Sequence, residues 1–222
     1  MTLYMVATPI GNLEDITLRA VRILGEVDTV LAEDSRQTAK LLTHYKITSS
    51  VKTLHQHTMP GVLAKFVSEM VAGKNFALVT DAGTPGISDP GGDLVSAARA
   101  AGVEVVAVPG ASAVTALLSV AGLPTDSFLF MGFLPKKKGR QTLWKELMPL
   151  SLPIIIFESP HRIVKTLEEV VGYLGDRYIV IGRELTKLHE EILSGSASEL
   201  AALLAKRGEP KGEFVVLIAP EN

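Results

Sequence analysis

The sequence has no cysteine. That excludes disulfides and thiolate metal sites, so any chemistry falls to Asp, Glu, His, Ser and backbone groups, and it fits a cytoplasmic protein. It also lacks any run of about eighteen apolar residues, and its N-terminus enters a strand directly, with neither a basic n-region nor an apolar h-region. The expectation is a soluble, unsecreted chain without a membrane partner. Internal repeats and low-complexity tracts are missing as well. A net charge of −2 lacks the basic excess that usually marks a nucleic-acid partner.

The chain is 222 residues long and 47% apolar, enough to bury one large core or two modest ones. Its charge is unevenly spread. Lys136, Lys137, Lys138, Arg140 and Lys145 follow one another without an intervening acid. Glycine and proline are concentrated too, in LVTDAGTPGISDPGG from Leu78 to Gly92. An apolar strand, Phe76 to Val79, breaks there into a loop that mixes glycines with Pro85 and Pro90, and a helical pattern begins near Asp93. Gly83 and Gly86 free the backbone for positive φ or for close approach to a ligand, while the prolines stiffen it. Such a loop is shaped rather than flexible. Asp81 and Asp89 put carboxylates at a strand's carboxyl end, where open α/β sheets bind their ligands.

Other strand ends repeat the arrangement. Leu3 to Ala7 runs into Thr8–Asn12, whose single glycine disfavours a Rossmann or P-loop fingerprint. Asn12 is a candidate cap for the next helix, which carries Ile16, Ala20, Ile23 and Leu24 on one face and ends near Gly25. Asp28 to Ala32 leads to Glu33, Asp34, Ser35 and Arg36, with Ser35 as the expected cap. Val51 to Leu54 precedes His55, Gln56 and His57. Two histidines at that spacing, with no third ligand nearby, read as a polar loop, so no metal is expected. Val103 to Val108 ends in Pro109–Ala113, where Ser112 can cap the next helix or donate to a ligand.

The pattern then restarts. Strands are expected at Phe128 to Phe133, Ile154 to Phe157, Ile179 to Ile181 and Phe214 to Ala219, with Glu190 to Gly195 pairing antiparallel. Helices are expected around Leu143, Trp144 and Leu147, along Ile163, Leu167, Val170 and Val171, and from a cap at Ser198 to Lys206. The chain therefore reads as two α/β domains. Residues 1–117 form a doubly wound, mostly parallel sheet, and residues 118–222 a mixed-sheet domain.

Six stretches together resemble the tetrapyrrole-methylase superfamily: TPIGN at Thr8, AED-R at Ala32, DAGTPGISDPG at Asp81, PGASA at Pro109, FESPHR at Phe157 and RELTK-HE at Arg183. Within it they resemble the ribosomal RNA small-subunit methyltransferase I family, which methylates a cytidine ribose 2'-O in the decoding region. Many of that family continue past the last strand, whereas this sequence stops at Asn222, as a short form or a piece of a longer chain.

The resemblance implies S-adenosylmethionine held in a cleft between the two domains. Its contacts fall on Pro9, Ala82, Gly83, Thr84, Ile87, Ser112, Ala113, Glu158 and Leu185, to which the residue reading adds Asp81. It also implies a homodimer acting on small-subunit ribosomal RNA or the small ribosomal subunit.

Methyl transfer to a ribose hydroxyl calls for positioning and for a base within reach of the departing proton. Glu33 is the first candidate, with Asp34, His161 and Glu184 as alternatives. Arg36, Lys136, Lys137, Lys138, Arg140, Arg162, Arg183 and Lys187 are the candidate RNA contacts. Two other functions remain open: a methyltransferase acting on a small tetrapyrrole precursor, and a non-catalytic module that binds RNA or a nucleotide.

Overall fold

The computed structural model describes residues 1–55, 58–208 and 211–221, so His57 and half of the His55–His57 reading lie outside the described residues. The chain divides into two compact units, Met1–Ser112 and Ala113–Asn222. The sequence reading placed the break after Leu117; the helix Ala113–Val120 instead belongs with the second unit.

Ten strands and eight α-helices alternate along the described chain. In the first unit, β1 (Thr2–Val6), β2 (Thr29–Ala32), β3 (Val51–Thr53), β4 (Phe76–Leu78) and β5 (Glu104–Val108) form a sheet of order β3-β2-β4-β1-β5. Every pairing in it is parallel. A parallel sheet needs cover on both faces. Accordingly the central strands β2 and β4 are buried at every residue, while the edge strand β5 shows Glu104 to solvent.

Side-chain alternation assigns the two faces. Val6, Val30, Ala32 and Ala77 pack with α1 (Leu18–Glu26) and α2 (Ser35–His44). Leu3, Leu31, Phe76 and Leu78 pack with α3 (Pro60–Val71) and α4 (Gly92–Ala100). This is the expected doubly wound arrangement. Two caps differ in detail. Asn12 caps a short 3-10 turn at Leu13–Asp15, leaving Thr17 to cap α1, and Asp34 rather than Ser35 caps α2.

The second unit opens with α5 (Ala113–Val120) and holds β6 (Leu129–Phe133), β7 (Ile154–Glu158), β8 (Tyr178–Arg183), β9 (Glu191–Ser196) and β10 (Phe214–Ile218). Their order is β6-β7-β10-β8-β9. The β6–β7 pair is parallel and the other three pairs are antiparallel, which makes the sheet mixed. The last strand does not close an edge. It lies in the middle, as its sequence FVVLI requires, since all five residues are buried. On one face Ile154, Ile156, Ile179, Ile181, Val216 and Ile218 meet α6 (Arg140–Leu147), α7 (Ile163–Leu174) and α8 (Ala197–Lys206). Ser196, two residues before the expected Ser198, caps α8 with a full capping box to Glu199.

Candidate active site

Parallel strands deliver their following loops to one edge, and in the first unit four of those loops are tied together there. Thr8 and Gly83 exchange backbone hydrogen bonds of 2.9 and 3.1 Å. The Thr8 hydroxyl donates to the Thr80 carbonyl at 3.1 Å. Thr84 Oγ1 donates to the Ala111 carbonyl at 3.4 Å, and the Asp34 amide donates to Asp81 Oδ1 at 3.1 Å. The loops after β1, β2, β4 and β5 thus form one cross-braced surface.

Backbone conformation shapes the central loop. Gly83 has φ +84° and Gly91 φ +138°; a Cβ on Gly91 would lie 2.7 Å from Leu78 Cδ2. Ser88 holds φ +63° without being glycine. A left-handed non-glycine residue is a strained choice that only a well-braced loop sustains. Asp81, Ala82 and Ile87 are exposed on this loop, Thr84 is half-buried, and Pro9 is buried beneath it. Ser112 is half-buried where the β5 loop leaves the unit.

The electrostatics of this edge are dominated by three carboxylates. Burial raises the pKa of Glu33, as do the charges of Asp89 and Asp81, against a hydrogen bond from Thr80 and the influence of His55. Burial likewise raises Asp89; its bond from Thr80, 2.8 Å from Oγ1 to Oδ2, opposes this and the charge of Asp81 adds to it. A half-buried carboxylate made more basic by its neighbours suits proton abstraction.

Asp34 is set up in the opposite way. Its carboxylate accepts from the Arg36 amide at 2.9 Å and from the Arg36 guanidinium at 3.0 and 2.7 Å. These bonds hold its pKa down to about 2. Asp34, an expected catalytic candidate, thus serves as the cap of α2, and its lowered pKa makes it a weaker proton acceptor than Glu33. The chain itself contains the signal, since an Asp at a strand-to-helix junction is a preferred N-cap. Thr80 was not singled out in the sequence, being one polar residue at the end of an apolar run.

In the second unit, Glu158 at the end of β7 is 1% exposed. Its Oε1 accepts from the Ser159 amide at 2.7 Å and pairs with Arg162 at 2.7 Å, while Oε2 accepts from Thr166 at 2.7 Å. Arg140, 6% exposed, donates to Thr166 at 2.7 Å, to Glu169 at 2.6 Å and to the Pro135 carbonyl at 3.1 Å. Trp144 Nε1 also donates to Glu169, at 3.0 Å.

Arg140, expected among the RNA contacts, is a buried cation engaged with Glu169, Thr166 and the Pro135 carbonyl. Composition groups it with the lysines, but helix geometry turns it inward. Arg162 is also directed inward, adding a bond of 3.0 Å to the Leu134 carbonyl. The Glu158 side chain is thus fully enclosed by its own partners.

Arg183 bonds the Lys211 carbonyl at 2.8 Å and Glu191 at 3.3 Å, and Lys187 bonds Glu184 at 2.9 Å and Glu213 at 2.8 Å. Leu185, 9% exposed, lies between Glu184 and Thr186, both left-handed at φ +50° and +65°. Lys136, Lys137 and Lys138 are exposed, just before the Arg140 anchor, and His161 is exposed as well. Ala113 is half-buried at the start of α5. Among the described residues no group of three or more His, Asp or Glu is placed to hold a metal, and no helix is long and apolar enough to cross a membrane.

Comparison with known proteins places this arrangement. A protein from Halalkalibacterium halodurans named ribosomal RNA small subunit methyltransferase I is 46% identical over 218 residues, covering 98% of this chain and 75% of that one. The protein of the same name from Thermotoga maritima is 43% identical over 217 residues, covering 98% and 97%. The structure of a cobalamin biosynthetic enzyme, cobalt precorrin-4 methyltransferase, superposes with TM-score 0.69 at 20% identity, over 98% of this chain and 94% of that one. Residues 2–201 match the model for tetrapyrrole (corrin/porphyrin) methylases, and the chain belongs to that family.

Proposed function

We propose that this chain is an S-adenosylmethionine-dependent methyltransferase that 2'-O-methylates a cytidine ribose in small-subunit ribosomal RNA. The observation that carries this reading is identity of 43–46%, over almost the whole chain, to relatives named for that RNA subunit. The chain's residues suit the cofactor. Asp81, Ala82 and Ile87 are exposed residues for its polar ends to meet, with Pro9, Gly83, Thr84, Ser112, Ala113, Glu158 and Leu185 as the further contacts. Glu33 and Asp89 supply negative charge beside Asp81. Such a patch favours a sulfonium cation.

When bound, the cofactor supplies an activated methyl group, so the protein's share is orientation and removal of one proton. Glu33 takes that proton from the ribose hydroxyl, and its raised pKa strengthens it as a base. Lys136, Lys137 and Lys138 engage RNA phosphates, with Arg36, Arg162, Arg183 and Lys187 available where their present carboxylate or carbonyl partners leave a donor. The protein works as a cytoplasmic homodimer, which sedimentation at micromolar concentration tests.

The reading as a tetrapyrrole methyltransferase draws on the precorrin-4 enzyme, whose 20% identity speaks for the fold alone. Incubation with labelled methyl donor and either small ribosomal subunits or tetrapyrrole precursors separates the two. We expect label in the RNA, at a nucleotide that becomes resistant to alkaline cleavage; label in the tetrapyrrole would overturn the proposal. Absence of cofactor binding in calorimetry would leave the binding module.

A further inference from the structure

The edge strand β6 carries Phe130 and Phe133, and a regular strand would send residues three apart to opposite faces. A bulge prevents that. The register to β7 slips between Phe130 and Gly132, where Gly132 takes φ +60°, so Phe130 lies opposite Ile155 and Phe133 opposite Phe157. Leu129 and Met131 pack into the helix-covered core, while the three rings gather on the other face. Phe157 meets Phe130 edge-on at 5.1 Å between centroids and Phe133 at a tilt at 5.5 Å. Phe133 is nevertheless 58% exposed, so much of its ring faces solvent.

The backbone beyond Phe133 is anchored. Arg162 donates to the Leu134 carbonyl at 3.0 Å and Arg140 to the Pro135 carbonyl at 3.1 Å, and the two arginines are themselves held by Glu158 and Glu169. The exposed Lys136, Lys137 and Lys138 begin at the next residue. Three residues of chain span at most about 10–11 Å, so the aromatic ring and the start of the lysine run stay that close.

We propose that Phe133, backed by Phe157 and Phe130, is a stacking site for an unpaired base of the RNA substrate. The inference rests on the reading of this chain as a ribosomal RNA methyltransferase. Every base has a π-face, and an aromatic ring beside a cationic track holds a single strand without reading its sequence. The lysines take phosphates of the strand whose base lies on the ring. No acid occurs from Leu129 to Lys145, so nothing in the segment repels those phosphates. Three lysines beside the ring attract a polyanion and would repel the same surface of a second copy.

Binding of oligocytidine and of an abasic ribose-phosphate chain of equal length, followed by fluorescence anisotropy across a salt series, tests this. Wild type should prefer oligocytidine. Phe133→Ala should weaken oligocytidine binding by about 5- to 150-fold, the worth of one stacked base, and leave the abasic chain and both salt slopes as they were. Phe133→Trp should restore the preference and Phe133→Leu should not, because stacking needs a flat π-face rather than apolar bulk. S-adenosylmethionine affinity in calorimetry should stay unchanged throughout.

An undiminished preference in Phe133→Ala, or rescue by Phe133→Leu equal to that by Phe133→Trp, would overturn the stacking role. So would a Phe133→Ala protein that sediments differently from wild type, which would assign the ring to contact with a second copy, or one that no longer binds S-adenosylmethionine, which would assign it to the cofactor. Wild-type protein that binds neither probe and transfers no methyl to small ribosomal subunits would sink the RNA reading and this inference with it, a result distinct from the others.

Discussion

Thr8 and Gly83 are joined by a two-way backbone bridge of 2.9 and 3.1 Å, which locks the loop after the first strand onto the glycine-rich loop after the fourth. Those loops are far apart in sequence, and the bridge makes them one surface.

Gly83→Val tests that surface. The residue holds φ +84°, where a left-handed conformation costs an L-residue about 1–2 kcal/mol. Its added Cβ would lie in van der Waals contact with Ile10 Cγ2 at 3.4 Å, leaving the valine methyls to find room beyond it. We expect a lower melting temperature together with loss of S-adenosylmethionine binding in calorimetry. Lowered stability with wild-type affinity would show that the bridge is structural only.

Arg140→Ala should destabilise the second unit by about 3–5 kcal/mol, because it removes the buried cation that pairs with Glu169 at 2.6 Å and bonds Thr166, while Glu158 keeps Arg162. Lys137→Ala, at an exposed position, should stay within about 0.5 kcal/mol of wild type. Urea denaturation of the two variants makes the comparison, and equal midpoints would contradict the buried role.

Replacing Lys136, Lys137 and Lys138 together by Ala should flatten the salt dependence of RNA binding. Each phosphate contact contributes roughly 0.7–0.9 to the slope of log K against log salt, so three contacts remove about two to three. Cofactor affinity and turnover at saturating RNA should be retained. An unchanged slope would place the RNA elsewhere.

Asp34 and Glu33 should respond oppositely to pH. The Asp34 pKa is depressed from 3.8 to about 2, so the stability it contributes is present above 3.8 and lost as pH falls through about 2. Asp34→Asn keeps a capping oxygen and should keep turnover while removing that dependence. The Glu33 pKa is raised above 4.5, so its ionisation weakens the fold as pH rises from there through the folded value. Glu33→Gln should therefore melt higher at neutral pH, with the gain vanishing below 4.5, and should lose methyl transfer. Melting curves across pH, read beside turnover, check both variants.

By itself the sequence determined the elements and the loops that matter. Period-3.6 faces such as Ile163, Leu167 and Val170, and apolar runs such as Ile154–Phe157, are local patterns that burial enforces, and each emerged as the helix or strand expected. The glycine and proline content of Asp81–Gly91 likewise announced a shaped loop, because positive φ is written into residue type. Tertiary structure alone decided which side chains those loops bring together.

Phe214–Ile218 took the centre of its sheet through pairing with β7 and β8, partners that its own sequence does not name. Arg140 reads as one of five neighbouring cations, yet α6 turns it onto Glu169 and Thr166, which lie a helix away. Thr80 reads as nothing in particular until folding buries it with its hydroxyl 2.8 Å from Asp89. Periodicity is a property of neighbours along the chain, whereas charge pairing and side-chain hydrogen bonding depend on distances of a few ångströms between residues that only the closed fold makes neighbours.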